Sequence, residues 1–324
     1  MPNVSRSSLL GSLPPSCPDD PIEAIRILGT QAGRKLIVLD DDPTGTQTVH
    51  GLSVLTDWSV EQLCVELLDD RPAVFLLTNS RSMSEPETRR LHQEIAHNLV
   101  AASREAGRDF TVVSRSDSTL RGHFPAEMEE LQNSLEQDFD AWVLCPFFEE
   151  GGRFTINDTH YVSEGDDLIP ASETPFAKDK AFGYKHSNLV DWVVEKSEGR
   201  IPKESIVSIS IDDIRTGGSE RLQALIAPTP KNGVVVVNAA EYRDLQVAVL
   251  ALLEAERNGK RFLYRTAASF VAARSGIERR ELLSREEMLS KQGRGILIVA
   301  GSYVPKTSRQ IEHLLNHKDM RSVE

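Results

Sequence analysis

Residues 35–45 read KLIVLDDDPTG: the apolar run from Lys35 to Leu39 stops abruptly in Asp40-Asp41-Asp42-Pro43-Thr44-Gly45. A short run without polar alternation fits a strand covered on both faces, and the acidic, Pro- and Gly-containing stretch fits the loop at its C-terminal end. The same punctuation recurs. Residues 73–77 (AVFLL) run into Thr78-Asn79-Ser80-Arg81-Ser82, residues 110–113 (FTVV) into Ser114-Arg115-Ser116-Asp117-Ser118-Thr119, and residues 142–145 (WVLC) into Pro146-Phe147-Phe148. Helical spacing fills the intervals, most clearly at Leu91, Ile95, Leu99 and Ala102 within 87–105. Alternation of this kind predicts an α/β fold with a mostly parallel sheet flanked by helices, whose functional groups collect at the C-terminal strand ends.

Further strands are expected at 205–211, 233–237 and 262–265, with a helix over 245–257. Residues 151–184 are polar with little periodicity, which predicts either a long functional loop or a small insertion. A charged helix over 285–292 precedes the apolar run GILIVA at 295–300, read as a strand ending in Gly301-Ser302, with a helix from Ser308. Three segments are therefore expected: a flexible tail over 1–33, a main domain over 34–285, and the beginning of a second domain over 293–324 that is too short to build a core.

The chain has 324 residues, with 37 basic against 49 acidic side chains and a formal charge of −12. Such a balance repels phosphate backbones and anionic membranes, so small molecules are the expected partners. Cys17, Cys64 and Cys145 are widely separated and show no metal-ligand spacing, which fits free thiols in a reducing cytoplasm. No stretch is apolar for long enough to span a bilayer. His50, His123, His160 and His186 also lack ligand spacing and are expected in hydrogen-bonded or surface roles.

Chemistry is densest in three strand-end clusters: Asp40 to Gly45, Ser80 to Ser82, and Arg115 to His123. Arginine forks suit a carboxylate, hydroxyl side chains suit a polyol, and an aspartate can orient or deprotonate a hydroxyl nucleophile. Each cluster alone reads equally well as an N-cap for the next helix; three together favour a pocket for an acid sugar. A rival pattern competes. Asp40-Asp41-Asp42-Pro43-Thr44 as D-x-D-x-T, Thr78 after an apolar run, and the later Asp212-Asp213 are similar, in that order, to haloacid dehalogenase phosphohydrolases, with magnesium held by the acidic groups.

A longer, collinear resemblance runs from about Leu36 to the end of the chain. Asp41-Asp42-Pro43-Thr44-Gly45, Asn79-Ser80-Arg81 and Asp117-Ser118-Thr119-Leu120-Arg121-Gly122 resemble the D-D-x-T-G, (D/N)-S-R and D-S-T-L-R-G segments of four-carbon acid sugar kinases. Gly152-Arg153 with Thr155, Arg265-Thr266 and Gly301-Ser302 follow in order. The resemblance implies a two-domain kinase: a substrate-binding domain over 34–285, and at 293–324 the start of a nucleotide-binding domain, with no later Gly-rich phosphate loop. It implies ATP with Mg2+ as donor, a small acid sugar as acceptor and a homodimer as assembly. On the same basis Asp41 and Asp42 are the catalytic residues. Thr44, Arg81, Arg115, Asp117, Ser118, Arg121, Arg153 and Thr155 bind substrate, Gly301 and Ser302 contact the nucleotide, and no metal ligand is assigned. Asp40, Pro43, Asn79 and Arg115 depart from the family's usual Ala, Leu, Asp and Lys, which leaves the acid's identity open. Besides the kinase and the magnesium phosphohydrolase, a third expectation is a non-catalytic module that binds an acid sugar.

Overall fold

The computed structural model describes residues 4–281, 283–288, 297–301, 305–317 and 320–322. They fall into two units, Met1–Arg280 and Glu281–Glu324. Twelve strands lie in the first unit: β1 (Val4–Ser5), β2 (Lys35–Asp40), β3 (Ser53–Leu55), β4 (Ala73–Leu77), β5 (Phe110–Arg115), β6 (Ala141–Cys145), β7 (Arg153–Ile156), β8 (Thr159–Glu164), β9 (Asp167–Pro170), β10 (Ile206–Ile209), β11 (Gly233–Val237) and β12 (Phe262–Thr266).

Eight of them form a wholly parallel sheet in the order β10-β11-β6-β12-β5-β2-β4-β3. Every residue of β2, β5, β6, β11 and β12 is buried. Alternate side chains of a strand point to opposite faces, so these runs feed two cores. Val38, Val113, Val143 and Val235 enter one, while Ile37, Val112, Leu144 and Val236 enter the other. Continuous apolar character in the sequence is the direct result of cover on both sides.

The long helix Glu85–Ala106 begins at a capping box formed by Ser84 and Glu87, with Pro86 in its first turn, and ends at Gly107 with φ 63°. Those signals stop the helix where the chain must turn back into β5. Its Ile95, Leu99 and Ala102 are buried, as their spacing predicts.

Several expectations change. The N-terminal segment is not a tail: β1 pairs with β9, and the helix Ile22–Ala32 buries Ile25 and Leu28, two apolar residues three apart on one face. Residues 151–184 are a small insertion built on the antiparallel strands β7, β8 and β9, whose sheet β1 completes. Strands of four to six residues that mix polar with apolar side chains show neither alternation nor a continuous apolar run, which makes them hard to read. In the second unit, helices occupy Arg285–Met288 and Pro305–Leu315. Residues 297–300 form no strand, and Leu297 and Val299 are exposed; a strand needs a neighbour for its ladder, and none among the described residues pairs with them.

Connectivity then places the site. From β2 the chain moves to β3 and β4 on one side, and later to β5 on the other. The loops leaving β2 and β5 therefore part in opposite directions and open a crevice at the C-terminal edge of the sheet, the usual ligand position in open α/β folds.

Candidate active site

Asp40 is the last residue of β2 and Arg115 the last of β5, and the two are paired in register. Their side chains meet across the strand ends, Arg115 Nη1 donating to Asp40 Oδ1 at 3.0 Å and to Asp42 Oδ1 at 3.3 Å. Arg81 comes from the 3₁₀ turn Ser80–Ser82 after β4. It donates through Nε to Asp41 Oδ2 at 3.0 Å and lies 2.5 Å from Asp42 Oδ2. The third loop follows β5. There Arg121 Nε donates to Asp117 Oδ2 at 2.8 Å, the Thr119 hydroxyl donates to the same oxygen, and Arg81 stands 3.8 Å from Asp117. Five acidic and basic side chains, Asp41, Asp42, Arg81, Asp117 and Arg121, thus make one chain of ion pairs across three strand ends.

Glycine is required at two points of this frame. Any Cβ at Gly45 would overlap the Asp40 carboxylate, and Gly122 has φ 115° with Asp41 and Arg265 packed against it. Beneath the third loop, Arg265 at the end of β12 donates to the Arg121 carbonyl at 3.0 Å and lies against both Phe124 and Trp192, which stack on each other. The imidazole of His160 faces the Ser118 carbonyl with Nε2 at 2.7 Å, so Nε2 carries the proton, and Nδ1 accepts from the Thr155 hydroxyl at 2.9 Å. Burial pushes His160 down to about 4, which keeps it neutral in this role.

Not every expected substrate residue is reachable. Thr155 is fully buried and acts through His160, and Arg115 is 4% exposed and committed to Asp40 and Asp42. Between the two catalytic candidates the structure distinguishes clearly: the Asp41 side chain is 3% exposed and that of Asp42 is 21% exposed. Thr44 is exposed and donates to Asp42 Oδ1 through both its amide and its hydroxyl. Ser118 and Asp117 border the surface, and Arg121 is one-fifth exposed. Arg153 stacks on Phe176, as Arg121 does, and donates to the Gly151 carbonyl; its buried Nε has no hydrogen-bond partner, and it forms no carboxylate ion pair among the described residues. Gly301 is exposed and outside regular structure, and Ser302 lies outside the described residues.

The phosphohydrolase pattern is not assembled. Asp40, its nucleophile, is 2% exposed, and the Thr78 hydroxyl donates to the Asp40 carbonyl at 2.8 Å. Asp212 and Asp213 begin the helix after β10, five strands from β2, or roughly 24 Å at about 4.8 Å per strand.

Four carboxylates in one crevice titrate in opposite directions. Burial raises Asp40 to about 7 and Asp41 to about 6, against the pull of Arg115 and Arg81 respectively. Burial also opposes ionisation of Asp42 and Asp117, but Arg81 beside both, with Arg121 beside Asp117, outweighs it and holds these carboxyls below their usual range. A raised carboxyl binds more proton folded than unfolded, so Asp40 and Asp41 favour the native state fully below about pH 4 and lose that contribution as pH rises through 6 and 7. Asp42 and Asp117 contribute above the unfolded value and lose it as pH falls further. Asp40→Asn should therefore flatten the decline in stability between pH 5 and pH 8, by an amount on the order of 1–3 kcal/mol. Urea unfolding of parent and variant at the two pH values checks this; equal declines would contradict it.

In the sequence Arg265 matches the family and His160 is expected in a hydrogen-bonded or surface role, neither with a place in the site, and Tyr184 is missed. Tyr184, whose hydroxyl donates to the Thr119 carbonyl at 2.8 Å, comes from the insertion and carries no strand-end signal. Arg265 does carry one, being a cation at the end of a buried strand.

Known structures share this fold. A domain of unknown function from Bordetella bronchiseptica, solved as a domain-swapped dimer with bound citrate, superposes with a TM-score of 0.56 at 22% identity, over 75% of this chain and 57% of that one. A Haemophilus influenzae protein superposes with a TM-score of 0.54 at 19% identity, over 74% of this chain and 55% of that one. The chain thus spans little more than half the length of these structures. A search of curated proteins returned no match. The family model described as the sugar-binding N-terminal domain matches residues 36–274, a span that contains all three strand-end loops and the insertion, and the chain accordingly belongs to the sugar-binding N-terminal domain family of the four-carbon acid sugar kinases.

Proposed function

We propose that this chain binds a four-carbon hydroxy acid and presents one of its hydroxyls for phosphorylation by ATP. The observation that carries this reading is the ion-pair chain Asp42, Arg81, Asp117 and Arg121 at the open ends of neighbouring strands. Asp42, ionised and accessible, orients the attacking hydroxyl. Asp117 and Ser118 receive the remaining hydroxyls of the polyol. Arg153, a guanidinium with unused donors beside Asp117, takes charge that develops on the transferred phosphoryl group. Phosphoryl transfer asks mostly for positioning and charge neutralisation, which this set of side chains supplies. The family assignment supports the acid-sugar class, and citrate in the Bordetella neighbour is itself a small hydroxy acid. A homodimer is proposed on the same neighbour.

ATP with Mg2+ is the donor substrate in this reading. Asp40, Asp41 and Asp42 lie close enough together to share a cation, but each is already ion-paired with Arg81 or Arg115, and two cations in place among three carboxylates do not fit a resident metal. Magnesium belongs here with the nucleotide.

Incubating the full-length protein with ATP and a panel of four-carbon acids should give acid-dependent ADP release. Silence across the panel would sink the kinase reading, and an acid-induced rise in melting temperature without turnover would establish a binding module instead.

A further inference from the structure

Arg81, Arg115 and Arg121, the arginines expected to hold the substrate's carboxylate, are each already paired with aspartates of the site. A paired guanidinium offers little net charge to an incoming anion. The substrate's acidic end therefore calls for a cation that the protein leaves uncompensated.

One lies next door. A cleft of about 490 Å³ opens beside the third loop; Arg81 and Gly122 of the site line it, together with His123, Phe182 and Lys196. Of the other charged groups lining it, Arg89 is paired with Glu85 and Glu129, and Arg200 with Glu129. Glu198 is an exposed acid on the rim. Lys196, the last residue of the helix Leu189–Lys196, forms no carboxylate ion pair among the described residues. Its Nζ reaches only the Gly183 carbonyl, at 3.4 Å. Neighbouring Glu195 is occupied with the amides of Lys185 and His186. Burial pushes the Lys196 ammonium down from its usual value, against the partial pull of the Glu195 charge and with Arg265 adding to the push; a bound anion would offset the net effect.

His123 adds direction. Its Nε2 faces the Met83 carbonyl at 3.0 Å and so carries a proton, and its ring meets that of Phe182 in a T-shaped contact. In the neutral ring Nδ1 is then an acceptor suited to a hydroxyl.

We propose that this cleft is the carboxylate subsite of the acid-sugar pocket, with Lys196 taking the acid's carboxylate and thereby selecting acids over neutral polyols. The assignment rests on the acid-sugar reading above and sharpens it. A negatively charged chain gains selectivity in this way, because a local cationic cleft focuses anions that the surface otherwise repels.

Calorimetric titration with erythronate, threonate and the neutral tetritol erythritol tests it on the full-length protein. The parent should bind an acid at least tenfold more tightly than erythritol. Lys196→Gln should reduce that preference to about twofold or less with an unchanged melting temperature, and Lys196→Arg should retain most of it. A Lys196→Gln protein that keeps the parent's preference overturns the subsite and leaves the acid-sugar reading standing. A parent that binds neither acid overturns both. Loss of preference in Lys196→Arg as well as in Lys196→Gln would point to lost packing at this position rather than lost charge and would overturn the assignment.

Discussion

Asp42→Asn should leave the protein folded and lower the rate of transfer to the acid by about 10²- to 10⁴-fold, the usual contribution of a positioned general base. In the proposed reaction that loss comes from the positioning of the attacking hydroxyl; the substitution is nearly isosteric, and an amide oxygen still accepts from the Thr44 backbone amide, which lies 2.8 Å from Asp42 Oδ1. Arg81 keeps Asp41 and Arg115 keeps Asp40, so neither guanidinium is stranded. What disappears is the one carboxylate of the triple-aspartate loop that is both ionised and accessible. Initial rates at saturating ATP, with the melting temperature as a folding control, decide the matter. A variant within threefold of the parent rate would remove Asp42 from the chemistry.

Arg81→Leu acts on the frame instead. It removes the guanidinium that sits against Asp41, whose side chain is 3% exposed, and also detaches Asp42 and Asp117 from their shared partner. Breaking a buried pair from one side typically costs about 3–5 kcal/mol, because the remaining charge has lost its compensation. The loss should depend on pH. With Arg81 present Asp41 already titrates at about 6; without it the carboxyl rises further and takes up a proton near neutrality. Destabilisation should therefore be larger at pH 8 than at pH 5, where Asp41 is protonated in the variant and partly relieved. Adding Asp41→Asn to Arg81→Leu should recover much of the stability, and a double-mutant cycle by urea unfolding measures the coupling. Additive effects would show that the two side chains do not depend on one another.

The candidate site was legible because its pieces sit where apolar runs break. Asp41, Asp42, Arg81, Asp117 and Arg121 are all within a few residues of a strand end, and the strands themselves announce their boundaries by composition. Less was legible wherever a residue acts through another element. Thr155 reads as a substrate contact in the sequence, yet it is enclosed in the insertion and works by orienting His160 toward the Ser118 carbonyl. Lys196 lies about 75 residues beyond Gly122 in a helix with ordinary charge spacing, and nothing local distinguishes it from a solvated surface lysine. Its significance is that it forms no carboxylate ion pair among the described residues, and pairing is a property of the folded chain.

The same division holds for the molecule as a whole. Sequence alone determined the parallel sheet, since residues buried on both faces must be apolar at every position, and it determined that the polar chemistry follows β2, β4 and β5. Only the tertiary structure decided which of these groups are available. Strand order set Asp40 beside Arg115 and put Asp212 and Asp213 far away, and burial separated Asp41, which holds the frame, from Asp42, which faces outward. Charge type is written in the residues; whether a charge is already neutralised depends on which strands become neighbours, and that is fixed by packing across the sheet.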